Sequence, residues 1–331
     1  MHSGDVRSMR DTTMTDLQIA VLDDWQAVAS SVVDWSSLDV IGEVSFLHDY
    51  PADTATLIER LLPFDVICVM RERTTFDEAL LRGLPNLKLI VTGGMRNAAL
   101  DVKAAAALGI DVCGGDSYKH AAPELTWALI MALSRNLVEE ANSLRAGRWQ
   151  VGLGRDLHGR TLGLLGLGSI GEKVAAFGQA FGMNVIAWSA NLTEERAGEV
   201  GVKRVDKQTL FSQADVISVH LVLGDRSRGL VDAQALSWMK PDALLVNTSR
   251  GPIIDEAALI RALEEKRLGG VALDVYATEP LPVDHPLRYL PNVLATPHIG
   301  YVSEANYRVF FRQMIEDIHA WHAGQPIRKM T

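Results

Sequence analysis

Three glycines stand in the spacing G-x-G-x-x-G at Gly166, Gly168 and Gly171 of this 331-residue chain. They follow the apolar run TLGLL and open the amphipathic segment SIGEKVAAFGQAFG. A strand–turn–helix of this kind can cradle a pyrophosphate. The first glycine permits a tight turn, the second lets backbone approach a phosphate, and the third lets helix and strand pack closely. Free N–H groups at the helix start, around Ser169 and Ile170, and the positive end of its dipole would face the anion. A dinucleotide is the expected ligand. The carboxylate that usually binds its ribose hydroxyls is missing after the next strand, NVIAWS, where the place falls at Ser189 with Asn191 close by. Serine can bond a ribose hydroxyl without repelling a 2′-phosphate, so NAD and NADP both stay open. Arg196 reads as part of a solvated helix face rather than a phosphate ligand.

Three further segments each end an apolar, strand-like run: NTSRGPIIDE around Arg250, DVYATEP around Glu279 and TPHIG around His298. In open α/β sheets ligands collect at the carboxyl ends of strands, so these residues point to one crevice. An arginine fork can hold a carboxylate while polarising a neighbouring carbonyl. A histidine can hand a proton to that carbonyl oxygen as a hydride arrives at its carbon. A glutamate on the other ring nitrogen would favour the imidazolium and fix its orientation. Taken singly, each residue is better explained by a structural role: a buried ion pair for Arg250, a capping or loop acid for Glu279, a satisfied core histidine for His298. Together, behind a glycine loop, they suggest keto-group reduction.

The set GLGSIG, NTSRGPIIDE, DVYATEP and TPHIG resembles the D-isomer-specific 2-hydroxyacid dehydrogenase family, over nearly the whole chain from about Leu17. The resemblance implies that Arg250 anchors and polarises substrate, that Glu279 supports the histidine, and that His298 is the acid/base. It places Thr248 and Asp274 near the nicotinamide end, counts Ser249, Arg250, His298 and Gly300 among the cofactor contacts, and puts His220 at a strand end passing the cofactor. MRERT (Met70 to Thr74) and TGGMRN (Thr92 to Asn97) match the family's substrate loops. There Gly93, Gly94 and Met95 could offer N–H groups to a carboxylate, and Arg71, Arg73 and Arg96 could reach the distal group or pair with acids such as Glu72. Glu279 speaks against formate dehydrogenase, which has glutamine there. The chain ends at Thr331, which reads as lacking the C-terminal domain of longer phosphoglycerate dehydrogenases. Dimers through the cofactor domain are usual in the family. Corepressor-like NAD(H) sensors share the three polar residues and remain the rival reading, as does a dehydrogenase of another oxyanion such as phosphite.

The elements that must position these groups alternate along the chain. LQIAVLD, VSFLHDY, FDVICVM, LKLIVTGG and IDVCGG read as strands separated by amphipathic segments, one of them, TTFDEALLRGL, with an N-cap-like threonine. Residues 117–149 read as one long helical stretch, with Pro123 in its first turn. A second alternating series begins at Arg160, and a last helix, SEANYRVFFRQMIEDIHAWHAG, has nothing left to pair with there. The expected architecture is α/β, with two Rossmann-like or flavodoxin-like domains of parallel strands. The first is discontinuous, residues 17–117 plus 301–331, around a dinucleotide-binding domain at 118–300. Residues 1–16 read as a leader without a targeting pattern.

Bulk properties fit such a protein. A chain this long suggests two domains. The formal net charge of −9 argues against a polyanionic partner such as nucleic acid. No apolar stretch reaches the roughly 20 residues of a membrane helix. Cys68 and Cys113 fall in strand-like runs and read as buried thiols, and the cytoplasm is the expected compartment. His319 and His322 lack a third ligand, so no metal is expected.

Overall fold

The computed structural model describes residues 16–49 and 53–331. Most of the expected leader, residues 1–15, lies outside the described residues. The chain folds as two compact units, one holding the described residues up to Tyr118 together with Glu304–Thr331, the other Lys119–Ser303.

The first unit carries five strands: β1 (Leu17–Val21), β2 (Gly42–Phe46), β3 (Val66–Val69), β4 (Leu89–Thr92) and β5 (Asp111–Gly114). All pair in parallel, in the order β2-β1-β3-β4-β5, the flavodoxin-like arrangement. β3 and β4 are buried at every residue, the pattern expected of parallel strands covered on both faces. The helix Glu78–Arg82 is capped by the Asp77 carboxylate, which accepts from Leu80 N, and not by a threonine. The long helix Glu304–His322 packs on this sheet, its Phe310 ring against the backbone of Gly93 and its Phe311 ring 5.7 Å from that of Trp35.

The second unit carries seven: β6 (Thr161–Leu165), β7 (Asn184–Trp188), β8 (Lys203–Arg204), β9 (Val216–Val219), β10 (Leu244–Asn247), β11 (Gly270–Leu273) and β12 (Val293–Ala295). Their parallel order is β12-β11-β10-β9-β6-β7-β8, so the chain reverses direction across the sheet beside β6. This is the Rossmann arrangement, with its ligand crevice at the switch between β6 and β9. Alternate side chains explain the double burial. Leu164 and Val246 enter a core with Trp127 and Val174, whereas Leu165 and Leu245 enter a second one with Phe211 and Leu259. The two-residue strand β8 is too short to be marked by sequence pattern.

The expected continuous helix over 117–149 is instead two, Ala121–Ser134 and Leu137–Arg145. Asn136 between them has φ +53°, a left-handed conformation that asparagine tolerates better than most residues. Helical propensity on both sides hides such a break.

Candidate functional site

The glycine loop is built by backbone crowding. Gly166 has φ +101°, and a Cβ there would stand 2.6 Å from the carbonyl oxygen of His220. Its N–H donates to Trp188 O at 2.9 Å, tying the loop to the end of β7. A Cβ on Gly171 would run into the Gly166 carbonyl. Gly168 differs: it is exposed, and a side chain there would meet nothing within 4 Å. Ser169 and Ile170 are exposed as well, and no side chain caps the helix Ser169–Ala180 that they open. First-turn N–H groups therefore face open space at the carboxyl end of β6, an arrangement that fits a pyrophosphate. The one acid in that turn, Glu172, is ion-paired with Arg196, which also pairs with Glu199. Ser189 is half-buried at the end of β7 and Asn191 is exposed beyond it.

The ends of β9 and β10 are cross-linked through side chains. His220 Nε2 lies 2.9 Å from Ser218 Oγ, and burial pushes its pKa down to about 3, so the ring is neutral. Ser249 Oγ donates to Leu221 O, and Thr248 Oγ1 lies 2.7 Å from Thr126 Oγ1. Asn247 spans the turn, accepting from Ser249 N and donating to Arg250 O. Arg250 is half-buried, with Nη1 donating to Ser249 O at 2.7 Å. Gly251 follows because a side chain there would collide with the Tyr276 carbonyl.

The turns after β11 and β12 hold the remaining pair. His298 has φ +52°, and its Nδ1 lies 2.6 Å from Glu279 Oε2. The other oxygen of Glu279 accepts from Tyr276 N at 2.8 Å. Tyr276 Oη donates to Thr296 O at 2.8 Å, so one tyrosine ties the glutamate's turn to the histidine's. Asp274 completes the frame. Fully buried, it accepts from Thr296 Oγ1 (2.6 Å), Ile299 N (2.8 Å) and Gly300 N (2.7 Å). Burial pushes its carboxyl pKa up, against the pull of these donors. Its oxygens are thus spent on the turn that carries His298. Neither Tyr276 nor Thr296 is marked by a motif: Thr296 is the polar residue ending the run VLAT, and Tyr276 stands two residues beyond Asp274. Tyr301 sets its ring edge-on to that of His298, 5.4 Å between centroids.

In the first unit, the expected substrate residues lie at the carboxyl ends of its own strands. Arg71 has φ +58°, with Nη1 donating to Gly93 O at 2.9 Å and Nε 3.4 Å from Glu72 Oε2. Arg73 donates to Asp23 O and to Tyr307 Oη, and its guanidinium sits 4.4 Å from the Trp25 ring centroid. Met95 and Arg96 are exposed. Gly94 has φ +110°, and a Cβ there would strike the Arg71 guanidinium. One expectation needs correcting. The Gly93 N–H donates to Val69 O, because β4 continues pairing with β3 for one more residue, and it is not spare for a carboxylate.

Elsewhere, Cys68 and Cys113 are free and buried. Among the described residues no group of His, Cys, Asp and Glu could hold a metal ion, and no helix is long and apolar enough to cross a membrane.

Comparison with known proteins follows the same lines. Residues 127–300 match the profile described as "D-isomer specific 2-hydroxyacid dehydrogenase, NAD binding domain". A glyoxylate reductase from Aeropyrum pernix is 37% identical over 286 residues, 83% of this chain and 85% of that protein. A glycerate dehydrogenase from Methylorubrum extorquens is 33% identical over 312 residues, 89% of this chain and 96% of that protein. Against the D-3-phosphoglycerate dehydrogenase of Synechocystis the chain spans about half the relative's length, 54%. Among solved structures, a phosphoglycerate oxidoreductase from Vibrio cholerae O395 superposes with a TM-score of 0.89 at 41% identity, covering 93% of this chain and 99% of that one. The cradle and the matched domain make the cofactor NAD or NADP. On these grounds the chain belongs to the D-isomer-specific 2-hydroxyacid dehydrogenase family.

Proposed function

We propose that this protein is an oxidoreductase interconverting a 2-keto acid and a D-2-hydroxy acid, working as a reductase. The observation that carries the reading is the Glu279–His298 pair, held at the sheet's carboxyl edge in the unit that also bears the glycine cradle and Arg250. A nicotinamide cofactor, when bound, would supply or accept the hydride. Gly166, Gly168 and Gly171 would hold its pyrophosphate, with Ser169 and Ile170 at the helix start. Arg250 binds the substrate carboxylate and polarises the adjacent carbonyl, a fork-shaped cation suited to both tasks. With Nδ1–H given to Glu279, Nε2 of His298 is the nitrogen left to protonate the carbonyl oxygen. Such a positioned acid contributes roughly 10²–10⁴ in rate. Asp274, Tyr276 and Thr296 keep the ring in place. Arg71, Arg73, Gly94, Met95 and Arg96 are the first unit's candidates for substrate recognition.

The working form is proposed to be a homodimer. Leu137, Leu144, Trp149 and Leu153 are all exposed in and after the helix Leu137–Arg145, Trp149 at 76% and Leu153 at 93%. An apolar surface of this kind on a soluble domain favours a partner. The cytoplasm is the proposed compartment, in keeping with two buried, unpaired cysteines.

The test is absorbance at the reduced-nicotinamide band with glyoxylate, hydroxypyruvate, pyruvate, phenylpyruvate and a phosphorylated keto acid. Turnover on any supports the reductase reading. Tight dinucleotide binding with silence on all substrates would overturn it in favour of a sensor or a different oxyanion.

A further inference from the structure

The proposed reaction leaves open which dinucleotide is used, and one corner of the second unit bears on that choice. The glycine loop runs beside the end of β7, joined to it by the Gly166–Trp188 bond. Ser189, Ala190 and Asn191 follow. A pocket selective for NAD puts a carboxylate at this place, to accept from the ribose hydroxyls and repel a 2′-phosphate. None stands there. Glu194 and Glu195 begin the next helix, where Glu195 is engaged with Thr193 and its own backbone N–H. Glu172 is taken by Arg196.

A cation occupies the same neighbourhood. Arg226, in the loop after β9, brings Nη1 to 3.5 Å from Asn191 Oδ1, a long contact and its only side-chain hydrogen bond among the described residues. Among the described residues it makes no ion pair with a carboxylate. Two other cations of this edge are engaged: Arg196 between Glu172 and Glu199, and Arg204 through Nε on Leu192 O at 2.7 Å. The loop bearing Arg226 is held by the adjacent Ser227, whose hydroxyl accepts from Gly224 N and donates to Val222 O. Ser189 places a hydroxyl at the same strand end, with no hydrogen bond to it among the described residues.

We infer that Arg226, with Ser189 and Asn191, forms a subsite for the 2′-phosphate of NADP(H), which this protein binds in preference to NAD(H). The inference rests on the nicotinamide-cofactor reading above. A planar guanidinium with unspent N–H donors matches a phosphate dianion in shape and charge. Its exposure makes the interaction sensitive to salt.

The test is binding, not turnover. Dissociation constants of the full-length protein are measured calorimetrically for NADPH, NADH, adenosine 2′,5′-bisphosphate and 5′-AMP. NADPH is expected to bind about tenfold or more tighter than NADH at low salt, as one or two charge-assisted bonds would give. Adenosine 2′,5′-bisphosphate should exceed 5′-AMP in the same sense, and added salt should shrink both ratios. Arg226→Ala should bring both ratios close to one, and Arg226→Lys should keep part of them. NADH binding as tightly as NADPH, or Arg226→Ala weakening both dinucleotides alike, overturns the assignment alone. Binding of neither dinucleotide overturns the cofactor reading and the subsite with it.

Discussion

Nδ1 of His298 lies 2.6 Å from Oε2 of Glu279, nineteen residues earlier in the chain and on the turn after the neighbouring strand. Neither residue reaches the other by local geometry. Glu279 is aimed by Tyr276 N–H, and His298 is held by the turn that Asp274 gathers through Thr296, Ile299 and Gly300. The pair is thus a property of two adjacent strand ends.

His298→Asn removes the proposed acid while keeping a polar side chain of lower volume. Steady-state kinetics should show kcat for keto-acid reduction falling roughly 10²–10⁴-fold, with the NAD(P)H dissociation constant little changed. Wild-type kcat in this variant would remove His298 from the mechanism.

Glu279→Gln can still accept from the ring or from Tyr276 N–H, but it carries no charge. We expect kcat to drop by about tenfold or more, less than on losing His298 itself. A KM effect with kcat intact would assign Glu279 to substrate binding instead.

Gly168→Ala separates fold from ligand. The added methyl meets no protein atom within 4 Å, so thermal stability should stay within about 1 kcal/mol of wild type. Dinucleotide affinity, measured by titration, should fall severalfold or more because the methyl intrudes where backbone must approach the pyrophosphate. Unchanged affinity would move the phosphates off this loop.

Two carboxyl groups of the first unit give its stability a pH dependence. Burial pushes Asp23 up to about 6 and Asp317 up to about 7, from an ordinary value of 3.8. Arg328 and Thr74 oppose this, through bonds to Asp317 Oδ1 (3.0 Å) and Asp23 Oδ1 (2.9 Å). Glu316 reinforces the rise at Asp317. Each carboxyl binds its proton more tightly folded than unfolded. The stabilisation is therefore complete below about pH 4 and is lost as pH rises toward 7. Calorimetry should show the unfolding midpoint of this transition falling across that window. Asp317→Asn should flatten the fall by a few degrees, about 2–4 °C. A slope that the variant leaves untouched would place the titration elsewhere.

Trp149→Glu and Leu153→Glu test the proposed dimer. Both side chains are largely exposed in the single chain, so folding should be unaffected while light scattering reports a shift toward monomer. A monomeric wild-type protein would refute the dimer directly.

The amino-acid sequence by itself determined the strands and their sides. Apolar runs such as LLVN and VICV can only be buried on both faces, which makes them parallel strands, and the glycines at 166 and 171 announce a crowded turn with no room for a side chain. Arg250, Glu279 and His298 were legible for the same reason: each is a polar residue just beyond an apolar run. Tertiary structure decided what local pattern does not carry. Asp274 lies in such a run and reads from the sequence as a cofactor contact, yet its oxygens serve the turn of His298, because three donors from that turn converge on it in the fold. Arg73 reads either as a substrate contact or as the partner of a nearby acid such as Glu72, and the fold instead brings Asp23, Trp25 and Tyr307 to it from distant parts of the chain. The break at Asn136 is not marked in the sequence, because one residue in a left-handed conformation leaves helical propensity on both sides intact. Periodicity reports which side of an element is buried; which partners a polar group meets there is settled only when the strand ends are brought together.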